Sequence, residues 1–103
     1  MARYDDWDDQ TVLAEVGERI RDLRLNRNVS QEELSERSGV STRTISQIES
    51  GGNTSLETLI KLMRALGVLD RLDVMFPDEG PSPIQLLELQ GRRRRRATGT
   101  RGS

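Results

Sequence analysis

The segment 40–51, VSTRTISQIESG, carries the side chains best suited to contacts outside the protein. Two apolar residues three positions apart, Ile45 and Ile48, can seat a short helix on a core. The residues around them are small hydroxyls, one arginine and one glutamine, which contribute little to a core and hydrogen-bond well to a partner. These are Ser41, Thr42, Arg43, Thr44, Ser46 and Gln47. The pattern therefore indicates a helix that presents a binding surface.

The residue types that most enzymes use are missing from the chain. It has no cysteine, which excludes disulfides and thiolate chemistry, and no histidine. The usual general base near neutral pH and the commonest metal ligand are thereby removed. Several serines are present, but none has an evident base beside it. We therefore expect no enzymatic activity, no cofactor and no metal site.

Four acids near the N-terminus, Asp5, Asp6, Asp8 and Asp9, could in principle hold a hard cation. The favoured interpretation is a loose, solvated acidic arm over residues 1–8. Asp8 or Asp9 would then cap the first helix, because acids are stabilised at a helix N-terminus.

The net charge of −1 hides a strong asymmetry along the chain. Up to Gln90 there are ten Arg/Lys and seventeen Asp/Glu, a balance of −7, and after Gln90 come six arginines and no acid, a balance of +6. No apolar run approaches the roughly 20 residues that span a bilayer. The acidic N-terminus MARYDDWDDQ does not resemble a secretion signal. We expect a cytoplasmic protein without membrane contact.

Capping residues and apolar spacing predict three helices in the first half of the chain. The first, of about 15 residues, carries one apolar stripe and ends at NRNV. The second begins at a capping box formed by Ser30 and Glu33 and ends at Gly39. The third is capped by Ser41 and reaches Ser50. The stripe of the first helix consists of Val12, Val16, Ile20 and Leu23.

The second half is predicted to contain further helices and no strand. SLETLIKLMRALG forms a fourth, amphipathic helix that ends at Gly67. A fifth helix is expected through Leu69, Leu72 and Phe76, and a sixth begins with Ser82 as cap and ends near Gly91. The fourth helix is expected to bury Leu56, Leu59, Ile60, Met63 and Leu66.

The string RIRDLRLNRNVSQEELSERSGVSTRTISQIESGGNTSLETLIKLMRALGV closely resembles the Cro/phage-repressor type helix-turn-helix domain, also called the XRE family. The resemblance implies an all-α fold, a five-helix repressor-like helix-turn-helix bundle with a short C-terminal helical extension and a disordered basic tail. It also implies that the third helix lies in the DNA major groove. The expected division is an acidic arm at 1–8, the DNA-binding domain at 9–68, the extension at 69–90 and the tail at 91–103.

Matched position by position, the base-reading residues of the family fall on Thr42, Arg43 and Gln47, with Ser46 as a further candidate. The residue types fit this role. Arginine bonds bidentately to guanine, glutamine bonds to adenine, and a threonine methyl contacts thymine. The alternative for Arg43 is an ordinary exposed arginine. Thr44 is assigned mainly to packing.

The phosphate-positioning residues of the family fall on Gln31 and Ser41. Such contacts set the register on DNA, while base contacts set the sequence. Ser41 could act only as a helix cap, and Gln31 only as a solvated helix start. Arg24 and Glu49 match a pair that the family uses internally to join the first helix to the end of the third, which makes Glu49 structural.

The loop GGNTS departs from the family pattern. Family members often carry a basic residue where this chain has Gly52, and a proline where it has Thr54. One phosphate-binding charge is therefore missing, and Asn53 and the backbone amides of the loop are candidates to replace it.

The basic tail offers a second source of phosphate contacts. Its five adjacent arginines are Arg92, Arg93, Arg94, Arg95 and Arg96. We expect them to follow DNA phosphates. A solubilising tail, or one that docks on an acidic partner or on acids of the same chain, is the alternative.

The C-terminal part GVLDRLDVMFPDEGPSPIQLLELQGRRRRRA resembles the extension of antitoxin-type members, the HipB-like group that pairs with a HipA-like kinase toxin. The alternative is a dimerisation extension in an ordinary repressor. In either case the apolar residues exceed what a small bundle can bury, which predicts a subunit interface.

These observations predict a bacterial, nucleoid-associated transcriptional regulator that binds double-stranded operator DNA as a homodimer and represses transcription. The first alternative is a HipB-like antitoxin that binds a HipA-like toxin and autoregulates its operon. An enzyme or a small-molecule sensor is disfavoured by the lack of histidine, cysteine and a spare ligand domain.

Overall fold

The computed structural model describes residues 3–80 and 87–91, and these residues form helices and turns without a strand. The chain divides into two compact units, Met1–Arg71 and Leu72–Ser103. The first unit contains α1 (Asp9–Asn26), α2 (Gln31–Ser38), α3 (Thr42–Glu49), α4 (Leu56–Ala65) and a 3₁₀ turn (Leu69–Arg71). The second contains α5 (Leu72–Met75), and residues 87–91 are also helical.

The helices of the first unit begin and end where the capping residues predict. Asp8 caps α1 by accepting the Thr11 N–H at 2.8 Å. The predicted capping box at Ser30 and Glu33 is present at the start of α2. Gly39 ends α2 in the left-handed conformation, with φ of 78°, which glycine adopts without steric cost. These local predictions are confirmed.

The core of the first unit is built mainly from aliphatic side chains. Leu34 of α2, Ile45 of α3 and Leu62 of α4 are completely buried. Other residues of the same cluster are Ile20, Val29, Val40, Ile48, Met63, Leu66 and Val68. Helices α1, α2, α3 and α4 therefore pack around one centre, to which Val40 of the α2–α3 turn also contributes.

The prediction that Leu56 faces the core is wrong. Leu56 is the first residue of α4 and remains 72% exposed, while Leu62, which the predicted stripe omitted, is completely buried. The first turn of α4 extends past the core. Leu56 instead lies beside an apolar groove of about 270 Å³, lined in part by Leu13 and Val16 of α1.

Helix α1 approaches α3 more closely than any sequence pattern indicates. Gly17 is buried, and a Cβ atom added to it would overlap the carbonyl oxygen of Ile48 and come within 3.2 Å of the Gly51 nitrogen. The two helices are thus in backbone contact at this point, and the crossing requires a residue without a side chain.

Residues 3–8 do not form a loose arm. The rings of Tyr4 and Trp7 make an edge-to-face contact with centroids 4.8 Å apart. Arg19 of α1 donates to the Tyr4 hydroxyl at 2.7 Å, and the Arg3 guanidinium lies 4.9 Å from the Tyr4 ring centre. The contact between Tyr4 and Arg19 therefore attaches this acidic segment to α1.

The predicted fifth helix is broken into two short pieces. Leu69 begins the 3₁₀ turn of the first unit, whereas Leu72 begins α5 of the second. Within the second unit, Phe76 is 74% exposed, and Leu87 in the helical stretch 87–91 is exposed as well. The predicted cap at Ser82 and the arginine run at 92–96 lie outside the described residues.

None of the described helices has the length and apolar character that crossing a membrane requires.

Candidate nucleic-acid interface

Helix α3 presents its polar side chains on one continuous surface. Ile45 and Ile48 are buried on the side that faces the core. The four predicted base-reading residues Thr42, Arg43, Ser46 and Gln47 are all exposed. Because residues three and four positions apart are neighbours on a helix, Arg43 lies beside both Ser46 and Gln47. The surface combines a cation, an amide and hydroxyls, which is the chemistry that base edges in a major groove require.

Ser41 acts as the N-cap of α3. Its hydroxyl oxygen accepts the Thr44 N–H at 3.1 Å, and its hydroxyl hydrogen is donated to Thr44 Oγ1 at 3.0 Å. The hydroxyl would have to leave Thr44 before it could donate to a phosphate. The capping role that was predicted for Ser41 is therefore confirmed.

Gln31, the first residue of α2, is half-buried and connects α2 to α3. Its Nε2 donates to Oε1 of Glu49 at 3.1 Å. An amide nitrogen carries two hydrogens, so one N–H and the carbonyl oxygen of Gln31 have further capacity for a partner.

The loop after α3 uses its backbone amides internally. The N–H groups of Gly51 and Gly52 donate to the carbonyl oxygens of Ile48 and Gln47 at 2.9 and 2.7 Å. The turn that ends α3 therefore already occupies these two of the loop's backbone amides, while the role of Asn53 and the rest of the loop stays a prediction. Asn53 is exposed, and its Oδ1 accepts the Thr54 N–H at 2.8 Å. Its NH₂ group can therefore donate to an external acceptor.

Arg24 of α1 and Glu49 of α3 form an ion pair that is almost fully buried. Arg24 Nε and Nη2 donate to Oε2 and Oε1 of Glu49 at 2.7 and 3.0 Å. Nη1 of Arg24 also donates to the Val29 carbonyl at 2.9 Å. The two side chains are only 8% and 4% exposed. The pair joins α1, the α1–α2 connection and the end of α3.

The ion pair also determines the ionisation of its members. Burial by itself raises the pKa of the Glu49 carboxyl, but hydrogen bonds from Arg24 and Gln31, with the charges of Arg24 and Arg21, outweigh burial and hold that pKa below its usual range. The hydrogen bond to Glu49 raises the pKa of Arg24. Both groups are therefore charged at neutral pH.

A polar cleft of about 580 Å³ lies beside Gln47 at the end of α3. It is lined by Gln10, Gln47, Ser50, Gly51, Gly52 and Asn53. Gln10 at the start of α1 was not predicted as part of this region, and an exposed glutamine in a first helical turn offers no signal that would have indicated it. Among the described residues no cluster of carboxylates is suited to hold a metal ion.

Comparison with known proteins agrees with this geometry. The family model described as Helix-turn-helix matches residues 20–70, which include α2, α3 and α4. The chain belongs to the XRE-type helix-turn-helix family. In the helix-turn-helix domain, α2 and α3 are therefore the two helices of the motif, with α3 as its second helix.

Several curated proteins are similar to part of this chain. A protein of Methanocella arvoryzae is 48% identical over 78 residues, covering 68% of this chain and 24% of that protein. One from Methanosphaerula palustris is 43% identical over 61 residues, 57% of this chain and 20% of its own length. Both are provisionally named HTH-type transcriptional regulatory proteins. The chain thus spans about a quarter or less of the length of these relatives.

Proposed function

We propose that the chain is a sequence-specific DNA-binding repressor that reads the major groove with α3. The exposed surface formed by Thr42, Arg43, Ser46 and Gln47 on a helix seated by two buried isoleucines carries this proposal. Gln31, Ser41 and Asn53 are the proposed phosphate contacts of the folded domain, and Ser41 would exchange its hydrogen bond to Thr44 Oγ1 for one to a phosphate. Because operator DNA is part of the chromosome, a protein that binds it would be located there. The names of the related regulators support a role in transcription.

Arg43→Ala is expected to weaken binding to the selected operator by about 1–3 kcal/mol and to change binding to unselected DNA little. The reason is that a bidentate contact to guanine discriminates between sequences. The operator is first obtained by selection from random DNA, and dissociation constants are then measured on both duplexes at one salt concentration. Arg64→Ala, an exposed arginine at the end of α4, is the control and should leave both constants nearly unchanged. Equal losses on the two duplexes would make Arg43 a phosphate contact.

We infer that the protein acts as a homodimer. One copy of α3 offers few base contacts, and the second unit exposes large apolar residues that a subunit interface would cover. These are Leu72, Val74, Met75, Phe76 and Leu87. Half-site centres should then lie about 34–36 Å apart, or a multiple of that distance. Sedimentation of the parent protein tests this, and Phe76→Ser, which removes an exposed apolar residue of the second unit, should shift the protein toward the monomer. A parent that sediments only as a monomer at micromolar concentration, with a footprint over one half-site, would refute the dimer.

Arg92–Arg96 are proposed to contact DNA phosphates, because the part of the chain up to Gln90 has a balance of −7. Each neutralised phosphate adds about 0.9 to the slope of log affinity against log salt. Truncation after Gly91 should lower that slope by roughly 1–4 per protomer and weaken operator and unselected DNA alike. Preference among operator variants should persist, since phosphate contacts carry little sequence information. An unchanged slope would favour a role of the tail in binding a partner.

An antitoxin of the HipB-like group is the second candidate function. The exposed apolar residues of the second unit, such as Phe76, support it as well as they support a dimer, because either partner would cover them. Co-purification of a HipA-like kinase with the protein from its native host would favour the antitoxin. If the protein purifies from its native host without a kinase, and represses its operator in the absence of one, the repressor is favoured.

A further inference from the structure

We propose that Glu49 is a positioning residue for DNA binding, which orients the Gln31 side chain so that one of its amide N–H groups is held ready for a DNA phosphate. The proposal rests on the proposed DNA-binding function. It assigns Glu49 a role beyond the ion pair with Arg24, and it assigns the phosphate contact of Gln31 to a particular hydrogen.

The orientation of the Gln31 amide follows from the chemistry of its partner. An ionised carboxylate can only accept hydrogen bonds, so the side of Gln31 that meets Glu49 Oε1 at 3.1 Å must be the NH₂ group. The low pKa of Glu49 keeps it ionised. The NH₂ group is thereby held in one place, and its second hydrogen remains for an external acceptor.

The anchor itself is rigid. Glu49 is held by two hydrogen bonds from Arg24, at 2.7 and 3.0 Å, and its side chain is 4% exposed. Gln31 is half-buried at the first position of α2. An unanchored glutamine at such a position would lose rotamer freedom on binding DNA, whereas the anchored side chain has already lost it in the folded protein.

A purely structural role for the Gln31–Glu49 hydrogen bond makes a different prediction. In that case the bond only ties α2 to α3, and its loss changes stability without any specific effect on DNA. A double-mutant cycle read out on DNA affinity separates the two roles, because it measures whether the contribution of Gln31 depends on Glu49.

The cycle uses the full chain and a mixed-sequence duplex of roughly three helical turns. Gln31→Met keeps the side-chain length and removes the N–H, and should weaken binding roughly tenfold. Arg24→Met/Glu49→Met replaces the whole ion pair by apolar residues, which commonly preserves folding. In that background, Gln31→Met should cost less than about threefold further. The exposed Gln90→Met is the control and should have no effect.

Either of two results overturns the proposal. Gln31→Met could leave the parent's affinity unchanged, or it could cost the same roughly tenfold in the folded Arg24→Met/Glu49→Met background. In the first case Gln31 is not a contact, and in the second Glu49 does not position it.

A second measurement on the parent protein decides the matter if the double replacement does not fold. The two side-chain amide protons of Gln31 are followed by NMR while DNA is added. The resonance of one proton should shift, and the resonance of the other proton, which is hydrogen-bonded to Glu49, should remain unchanged. If the amides of α3 shift while both Gln31 protons stay unchanged, the positioning role is overturned. If the amides of α3 do not respond either, the proposed DNA-binding function itself has failed.

Discussion

Arg24→Met is expected to destabilise the helix-turn-helix domain by about 3–5 kcal/mol. The replacement leaves the carboxylate of Glu49, only 4% exposed, without the guanidinium that donates two hydrogen bonds to it. It also removes the donor to the Val29 carbonyl. A buried charge without its partner keeps the cost of desolvation and loses the attraction that offsets it. Thermal or urea unfolding of the two proteins gives the difference.

An exposed ion pair of the same domain provides the control. Lys61 lies 3.9 Å from Glu57 on the surface of α4, and both side chains are more than half exposed. Lys61→Met should therefore change the free energy of unfolding by no more than about 1 kcal/mol, since water screens such a pair. If Arg24→Met were as mild as Lys61→Met, the Arg24–Glu49 pair would not be the buried connection that the structure describes.

The same pair predicts a dependence of stability on pH. Although burial by itself raises the pKa of Glu49, this pKa is lower in the folded protein than that of an ordinary glutamate in the unfolded chain, because of the hydrogen bonds from Arg24 and Gln31. The unfolded chain therefore binds more protons between these two pKa values, and stability falls as the pH decreases through the folded-state value. Asp8 and Glu33, whose pKa values are lowered by the capping hydrogen bonds that they accept from Thr11 and from the N–H group of Ser30, contribute in the same direction. Arg24→Met/Glu49→Met retains these two caps. The free energy of unfolding of this variant should therefore fall less steeply with decreasing pH than that of the parent, and the difference between the two proteins is the contribution of Glu49.

Gly17→Ala is expected to destabilise the domain by about 3 kcal/mol, at the upper end of overpacking penalties. The added methyl group would overlap the backbone carbonyl oxygen of Ile48, and a backbone atom cannot rotate away as a flexible side chain can. Helix α1 would have to move away from α3 along its length. Because Ala stabilises an ordinary helix interior by about 0.5–1 kcal/mol relative to Gly, the predicted sign is opposite to that of helix propensity.

The opposite signs make this experiment decisive. Glu18→Ala, at the exposed neighbouring position of α1, should change the free energy of unfolding by no more than about 0.5 kcal/mol. A Gly17→Ala protein at least as stable as its parent would show that α1 and α3 do not meet through their backbones. Displacement of α3 should also weaken operator binding, which can be measured on the same samples.

The sequence by itself determined helices α1 to α4 and the polar exposed surface of α3. Ser30, Gly39 and Ser41 delimit α2 and α3 because their hydrogen bonds or backbone angles act within one helical turn. Ile45 and Ile48 orient α3, so the exposed positions of Arg43 and Gln47 follow from helical periodicity alone. The family resemblance added the proposed base-reading roles of these residues and the pairing of Arg24 with Glu49, which the structure contains.

Only the tertiary structure decided the features that depend on how the helices approach one another. The need for glycine at position 17 arises from Ile48 of another helix. The exposure of Leu56 arises because the first turn of α4 extends past the core. The hydrogen bond from Gln31 to Glu49 joins two helices whose separation no local pattern specifies. Periodicity and capping describe one segment at a time, whereas each of these contacts depends on the packing of two.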